Sequence, residues 1–150
     1  MTTAESLRRL NNFNRRIRMS TSYREIVDKI REASAAGDFD EMFSHFTPDA
    51  TFRVIGNHKF SRTCSGREEI LSLFAEVLSM LDHETMDRHA GPWGVGEGVL
   101  YEEYSLKCKT TKGKDYINEY VMVYRFEGDK VSGMVEFMDT DHFVKAVLEG

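Results

Sequence analysis

Two carboxylates, Glu103 and Glu136, and the polar groups of Ser105, Asn118 and Tyr120 lie on three neighbouring segments that strand pairing could bring to one face of a sheet. A carboxylate facing an apolar hollow has its charged form disfavoured, which makes Glu136 the candidate general base or acid near neutral pH. Tyr120 opposite it would offer an O–H donor to an enolate-like oxygen, and Asn118 a further polar contact. Glu103, one row away, would make a carboxylate pair with Glu136 and push one apparent pKa upward. The competing readings are structural. Glu136 would then be held by Tyr120 or Lys107, or turned to solvent, and Glu103 would be a solvated charge at a rim.

The elements that must position these groups are three consecutive strands, Val99–Lys109, Asp115–Phe126 and Lys130–Met138, rich in aromatic and β-branched residues. In the middle strand Tyr116, Asn118, Tyr120, Met122, Tyr124 and Phe126 share one face, and Ile117, Glu119, Val121, Val123 and Arg125 share the other. Both sets are mostly apolar, so both faces are expected to be covered, one by the chain's own helices and one by a second copy. A two-residue loop at Lys112–Gly113 would set Ser105 opposite Tyr120. A three-residue loop with a glycine bulge at Glu127–Asp129 would then set Tyr120 opposite Glu136, flanked by the rows Glu103–Met122–Met134 and Lys107–Asn118–Met138. A two-residue second turn would instead bring Val135, Phe137 and Asp139 to that face, and the local pattern leaves the choice open.

Upstream, Ser22 with Glu25 reads as a capping box for a first helix carrying Tyr23, Ile26, Val27 and Ile30. Gly37 ends it, and Asp38 with Glu41 opens a short second helix bearing Phe39, Met42, Phe43 and Phe46. A strand follows at Ala50–Ile55, with Ala50, Phe52 and Val54 on one side, and then a polar loop over Gly56–Ser65 containing His58, Phe60 and Cys64. Ser65 and Glu68 cap a third helix with the stripe Ile70, Leu71, Phe74, Leu78 and Leu81. A short strand at Glu84–Ala90 and a Gly/Pro turn region over 91–98 precede the three strands, and Asp139 or Thr140 caps a last helix. This order predicts an α+β fold, a strongly curved, mostly antiparallel sheet with helices on its concave face enclosing a pocket. Phe52, Val54, His58, Phe74, Leu78, Trp93, Met122, Met134 and Met138 join Ser105 and Asn118 as candidate lining.

The net charge of −5 is unevenly spread. Residues 1–18 carry five arginines against Glu5, a net of +4, which leaves −9 for the remainder. A basic, flexible arm over residues 1–20 ahead of an acidic domain over 21–150 argues against a nucleic-acid groove within the fold. No segment approaches the ~20 apolar residues of a membrane span, and no secretory signal is visible. Cys64 and Cys108 stand apart without a CxxC pattern, as free thiols of a cytoplasmic protein would. His58, His83 and His89 show no metal-ligand spacing, and the glycines of Gly94–Gly98 lie between strands rather than before a helix, so neither a metal nor a phosphate-bearing cofactor is expected.

Taken in order, Ala36-Gly37-Asp38, Thr47-Pro48-Asp49-Ala50-Thr51-Phe52, Ser65-Gly66-Arg67-Glu68-Glu69-Ile70, Gly113 with Tyr116 and Tyr120, and Gly133 through Asp139 resemble the SnoaL-like branch of the nuclear transport factor 2-like (ketosteroid isomerase-like) superfamily. The resemblance implies a cone-shaped α+β barrel with a deep pocket and dimerisation through the convex sheet face. It also implies an apolar or polyketide-like small molecule as substrate, handled by an isomerase, cyclase or dehydratase without a cofactor. The alternative is a dimeric, non-catalytic ligand-binding protein, because this fold hosts both. The spacing of Gly113–Asp139 is most similar to limonene-epoxide-hydrolase-like members and implies the three-residue second turn with Glu136 inward. The positions matching their catalytic set are Ser105, Glu103, Glu136, Phe52 and Val54. Only one carboxylate persists, with an acid in place of the arginine, so that epoxide chemistry is not expected. Against the His–Asp dyad of the dehydratase type, the histidine position matches Asp87, and Ala35 and Ala36 stand where an acid is needed.

Overall fold

A computed structural model describes residues 2–150, with side chains described for all of these except 17, 19, 20 and 21. The chain divides into two compact units, residues up to His45 and Phe46–Gly150.

The first unit is helical. Helix α1 runs Thr3–Ala35 and takes in the segment expected as a basic arm. Its capping box uses Thr2 and Glu5, not Ser22 and Glu25. No glycine or proline interrupts the segment, and a helix already under way gains nothing from stopping at Ser22. Tyr23, Val27, Ile30 and Ala33 form its buried face. The Gly37 end and the Asp38 cap of α2 (Phe39–Ser44) are as expected, the Asp38 carboxylate accepting from the Glu41 N–H at 3.0 Å.

The second unit contains β1 (Phe46–Val54), β2 (Thr63–Ser65), α3 (Gly66–Leu78), β3 (Leu81–Gly96), β4 (Val99–Thr110), β5 (Asp115–Glu127), β6 (Lys130–Met138) and α4 (Thr140–Phe143) with a π-helical turn at Val144–Leu148. The six strands form one open, curved sheet in the order β2-β1-β6-β5-β4-β3, antiparallel except for the β1–β6 pair. Phe46 belongs to β1, not to α2, and Pro48 is tolerated because the β1–β6 register shifts between Phe46 and Thr51. β3 is longer than the short strand expected, because bulges between Asp82 and Asp87 and between Ala90 and Trp93 carry it through Gly91-Pro92. Ser65 is the N-cap of α3, but Glu69 rather than Glu68 reaches back to its N–H, at 2.7 Å.

The register differs from the expected one at both turns. Lys109 pairs with Asp115 and Ser105 with Glu119, which makes Thr111-Lys112-Gly113 a three-residue loop. Gly113 takes the left-handed conformation (φ 81°) that this loop requires. The second turn has two residues, Glu127 pairing with Lys130, and a bulge between Arg125 and Phe126 then sets Met122, not Tyr120, opposite Glu136. Packing decides this outcome. Every even-numbered residue of β5 from Tyr116 to Phe126 is buried, along with Leu100, Tyr104 and Cys108 of β4. A one-residue slip would turn a whole strand over, at about 1.5–3 kcal/mol for each large apolar side chain, whereas turn preference is worth about 1 kcal/mol. Only this even-numbered face is covered within the chain; Tyr101, Ile117 and Phe137 on the other are 50, 55 and 43% exposed.

Gly113→Ala should lower unfolding stability by about 1–2 kcal/mol, with Gly113→Asn costing less, because asparagine accepts the left-handed region more readily. Denaturant melts of the two variants check this, and equal losses would contradict the turn assignment.

Candidate functional site

β1, β6, β5 and β4 set Val54, Glu136, Met122 and Glu102 side by side in one row of the covered face. The next row holds Met138, Tyr120, Tyr104 and Ala90. Alternation along β4 sends Glu102 and Tyr104 inward and Glu103 and Ser105 outward.

Tyr104 ties the rows together. Its hydroxyl donates to Glu136 Oε2 at 2.9 Å, and its ring is stacked on Tyr120 with centroids 4.7 Å apart. On the β3 side the Arg88 guanidinium lies 3.8 Å from the centre of the Tyr104 ring and donates to Glu102 Oε1 at 3.3 Å. Glu102 has no exposed surface, so this cation holds an otherwise costly buried carboxylate while packing on an aromatic face. Beyond Tyr120 a second polar string begins. The Tyr120 and Tyr116 hydroxyls are 2.7 Å apart, and Asn118 Nδ2 donates to Tyr116 Oη at 2.9 Å and to the Asp139 carbonyl at 3.0 Å.

Burial raises the Glu136 pKa above the ordinary glutamate value, and the Tyr104 hydrogen bond and the Arg88 charge oppose that rise without cancelling it. The same burial raises Tyr104, Tyr116 and Tyr120, with the negative charge of Glu136 adding to the effect. The three phenols are therefore neutral O–H groups at physiological pH, and the carboxyl beside them holds its proton more readily than one in water. A carboxylate base with neutral donors nearby suits proton abstraction next to a carbonyl, because the donors can bind the oxygen on which charge develops.

The expected site residues separate into two sets. Glu136, Tyr120, Asn118, Met122, Met134, Phe52 and Val54 share the covered face, with Phe52 edge-on to Phe74 of α3 at 5.2 Å. Asn118 is buried and its amide is occupied by Tyr116 and Asp139, so it orients a phenol rather than meeting a ligand directly. Glu103 and Ser105 lie on the opposite face, away from Glu136, and the expected carboxylate pair does not form. They border an open groove of about 560 Å³ with His89, Gly91, Glu119 and Phe137, where Met138 also reaches. His58 packs on Phe143 at 5.1 Å and accepts from the Phe60 N–H at 3.2 Å, with its pKa lowered by burial. Leu78 is half-buried in α3, and Trp93 is 44% exposed.

Arg88, Glu102 and Tyr104 escaped the sequence reading. The signal for two of them was present, because in β4 only the even-numbered set has Leu100, Tyr104 and Cys108 facing in and keeps Lys107 and Lys109 out. Arg88 carried no such signal, since the bulges of β3 decide where it points. Among the described residues no three His, Cys, Asp or Glu side chains converge as a metal site would need, and no helix is long and apolar enough to cross a membrane.

The family model for the SnoaL-like domain matches residues 27–134, and the chain belongs to that family. No curated protein matches it. Among solved structures it is similar to an NTF2-like protein of unknown function from Burkholderia pseudomallei K96243, with 15% identity and a TM-score of 0.75 over 84% of this chain and 97% of that one. TerC co-crystallised with polyporic acid gives 15% and 0.74 over 85% and 98%. A protein provisionally named a SnoaL-like polyketide cyclase, from Jannaschia sp. CCS1, gives 15% and 0.74 over 85% and 92%. At these identities the likeness is one of fold: the chain has the NTF2-like, ketosteroid isomerase-like α+β fold.

Glu102→Ala should destabilise the protein by about 2 kcal/mol by leaving Arg88 without its carboxylate, while Glu103→Ala should change stability by less than about 0.5 kcal/mol. Chemical denaturation separates the two, and the reverse order would refute the β4 register.

Proposed function

We propose that this protein is a small-molecule enzyme of the isomerase, cyclase or dehydratase kind, acting by acid–base chemistry on an apolar or polyketide-like substrate. The observation that carries the reading is Glu136, a carboxyl whose pKa burial raises and whose position the Tyr104 hydroxyl holds. In the step envisaged, the Glu136 carboxylate takes a proton from carbon next to a carbonyl. The C–H electron pair moves to the carbonyl oxygen as an enolate, and the protonated Glu136 returns the proton at another carbon or to a leaving hydroxyl. Tyr120, backed by Tyr116, is the neutral donor for the enolate oxygen. The names of similar structures, a provisional polyketide cyclase and a protein crystallised with polyporic acid, are in keeping with such a substrate class.

A binding-only role is the second reading. It is favoured by the polar groups of this face being satisfied by one another, Glu136 by Tyr104 and Tyr116 by Asn118. In either case the open sheet face, with Tyr101, Ile117 and Phe137 exposed, takes a second copy of the chain. The two buried free thiols, Cys64 and Cys108, suit a reducing, cytoplasmic setting.

Glu136→Gln distinguishes the two readings and carries its own pH signature. With enolisable polyketide-like ketones as probes, loss of turnover by at least about 100-fold with binding retained supports the enzyme. Unchanged turnover removes Glu136 from the chemistry. Because the folded-state pKa is raised, native stability is undiminished below the unfolded value of about 4.3 and declines as pH climbs from there through the folded value. The amide introduced by the substitution cannot ionise, so the melting-temperature advantage of the variant should widen across that window and then level off.

A further inference from the structure

Helix α1 has two unlike halves. In the second half Tyr23, Val27, Ile30 and Ala33 are buried. In the first half every described residue is exposed, and Leu7, Leu10 and Phe13 are 56, 54 and 60% exposed on a single face. At 3.6 residues per turn the centres of the two stripes are rotated by roughly 150°. The exposed stripe therefore does not continue the buried one and calls for a separate counterpart. Arg9 and Arg16, two turns apart, border it, and the one acid nearby, Glu5, is tied into the N-terminal cap.

A matching surface exists on the same chain's open sheet face. Ile117, Tyr101 and Phe137 are exposed there, and the groove beside them contains Glu103 and Glu119, both exposed, on adjacent strands. Ser105 pairs with Glu119, so Glu103 and Glu119 are diagonal neighbours about 7–8 Å apart. Arg9 and Arg16 are about 10 Å apart along the helix, a difference that long arginine side chains absorb. An apolar stripe bordered by cations thus meets an apolar patch whose groove carries two anions, the cations of that face, Lys107, Lys109 and Arg125, lying outside the groove. Each copy carries both halves, so reciprocal exchange closes a two-fold dimer without leaving either half uncovered. The overall charge division, +4 in residues 1–18 and −9 in the rest, favours the same association.

We propose that the basic, amphipathic start of α1 docks on the open sheet face of a second copy, with Leu7, Leu10 and Phe13 on its apolar residues and Arg9 and Arg16 beside Glu103 and Glu119. This rests on the reading that the open face takes a second copy, and it names the segment that completes the contact.

The test is sedimentation of the full chain carrying Arg9→Glu with Arg16→Glu, carrying Glu103→Arg with Glu119→Arg, and as an equimolar mixture of the two variants. All four positions are on the surface, so each variant should fold. The parent should be a dimer, and each double variant alone should dissociate about tenfold more readily. Mixing should restore association, because in the mixed dimer one reciprocal contact keeps its parental residues and the other regains attraction with its signs exchanged. A parent that stays monomeric overturns both readings. A dimer indifferent to the arginine reversal overturns the docking alone and leaves the sheet-face dimer standing. Weakening by both variants with no recovery on mixing also overturns the docking.

Discussion

The hydrogen bond from Tyr104 to Glu136 is the contact on which the candidate site depends. Burying a carboxyl away from water costs several kcal/mol unless its charge is relieved or its oxygens are bonded, and here both remedies are partial. The phenol supplies one donor, the Arg88 charge lies beyond the phenol ring, and the balance still favours the protonated acid more than water would. A carboxyl fully paired with arginine would stay ionised and inert as an acid; one with no donor would be lost as a base. Arg88 is instead engaged by Glu102, which uses part of the cation's attraction and leaves Glu136 with the remainder.

That arrangement exists only in one strand register. Glu102 and Tyr104 face Glu136 because Gly113 makes a three-residue turn possible and because the β5–β6 pair absorbs one extra residue in a bulge. Had each turn taken the other length, Glu103 and Ser105 would have stood in their places, and the face would have carried Glu103 and Glu136 one row apart without the Tyr104 hydroxyl that holds Glu136. Two turns of one residue more or less therefore decide the chemistry, although neither touches it. The same register leaves the outer face open, which joins the question of catalysis to the question of what covers that face.

Much of the fold was legible in the chain. The alternation of β5 predicted which residues share each of its faces, Asp38 caps α2 as expected, Asp139 rather than Thr140 caps α4, and Gly37 follows the end of α1. Glu136 was legible as the one acid among Met134, Met138 and the β5 aromatics. The register was not, because Val135/Phe137 and Met134/Met138 are equally apolar, and local pattern has no preference between them. Register is set by summed burial across four strands, which no single segment displays. The beginning of α1 was hidden by a good capping sequence at Ser22 that the continuous helix simply passes through. The role of Arg88 was hidden by bulges in β3, since a bulge reassigns faces without any mark in the alternation.

Glu136 is a half-buried acid with a raised pKa, held by one phenol. Carbon-13 NMR of glutamate-labelled protein, with the Glu136 carboxyl resonance assigned by its absence in Glu136→Gln and followed through a pH titration, measures this directly. The midpoint should lie above the glutamate range near about 4.3 and move higher in Tyr104→Phe, because the lost donor had favoured the ionised form. A midpoint within the ordinary range and indifferent to Tyr104→Phe would contradict it.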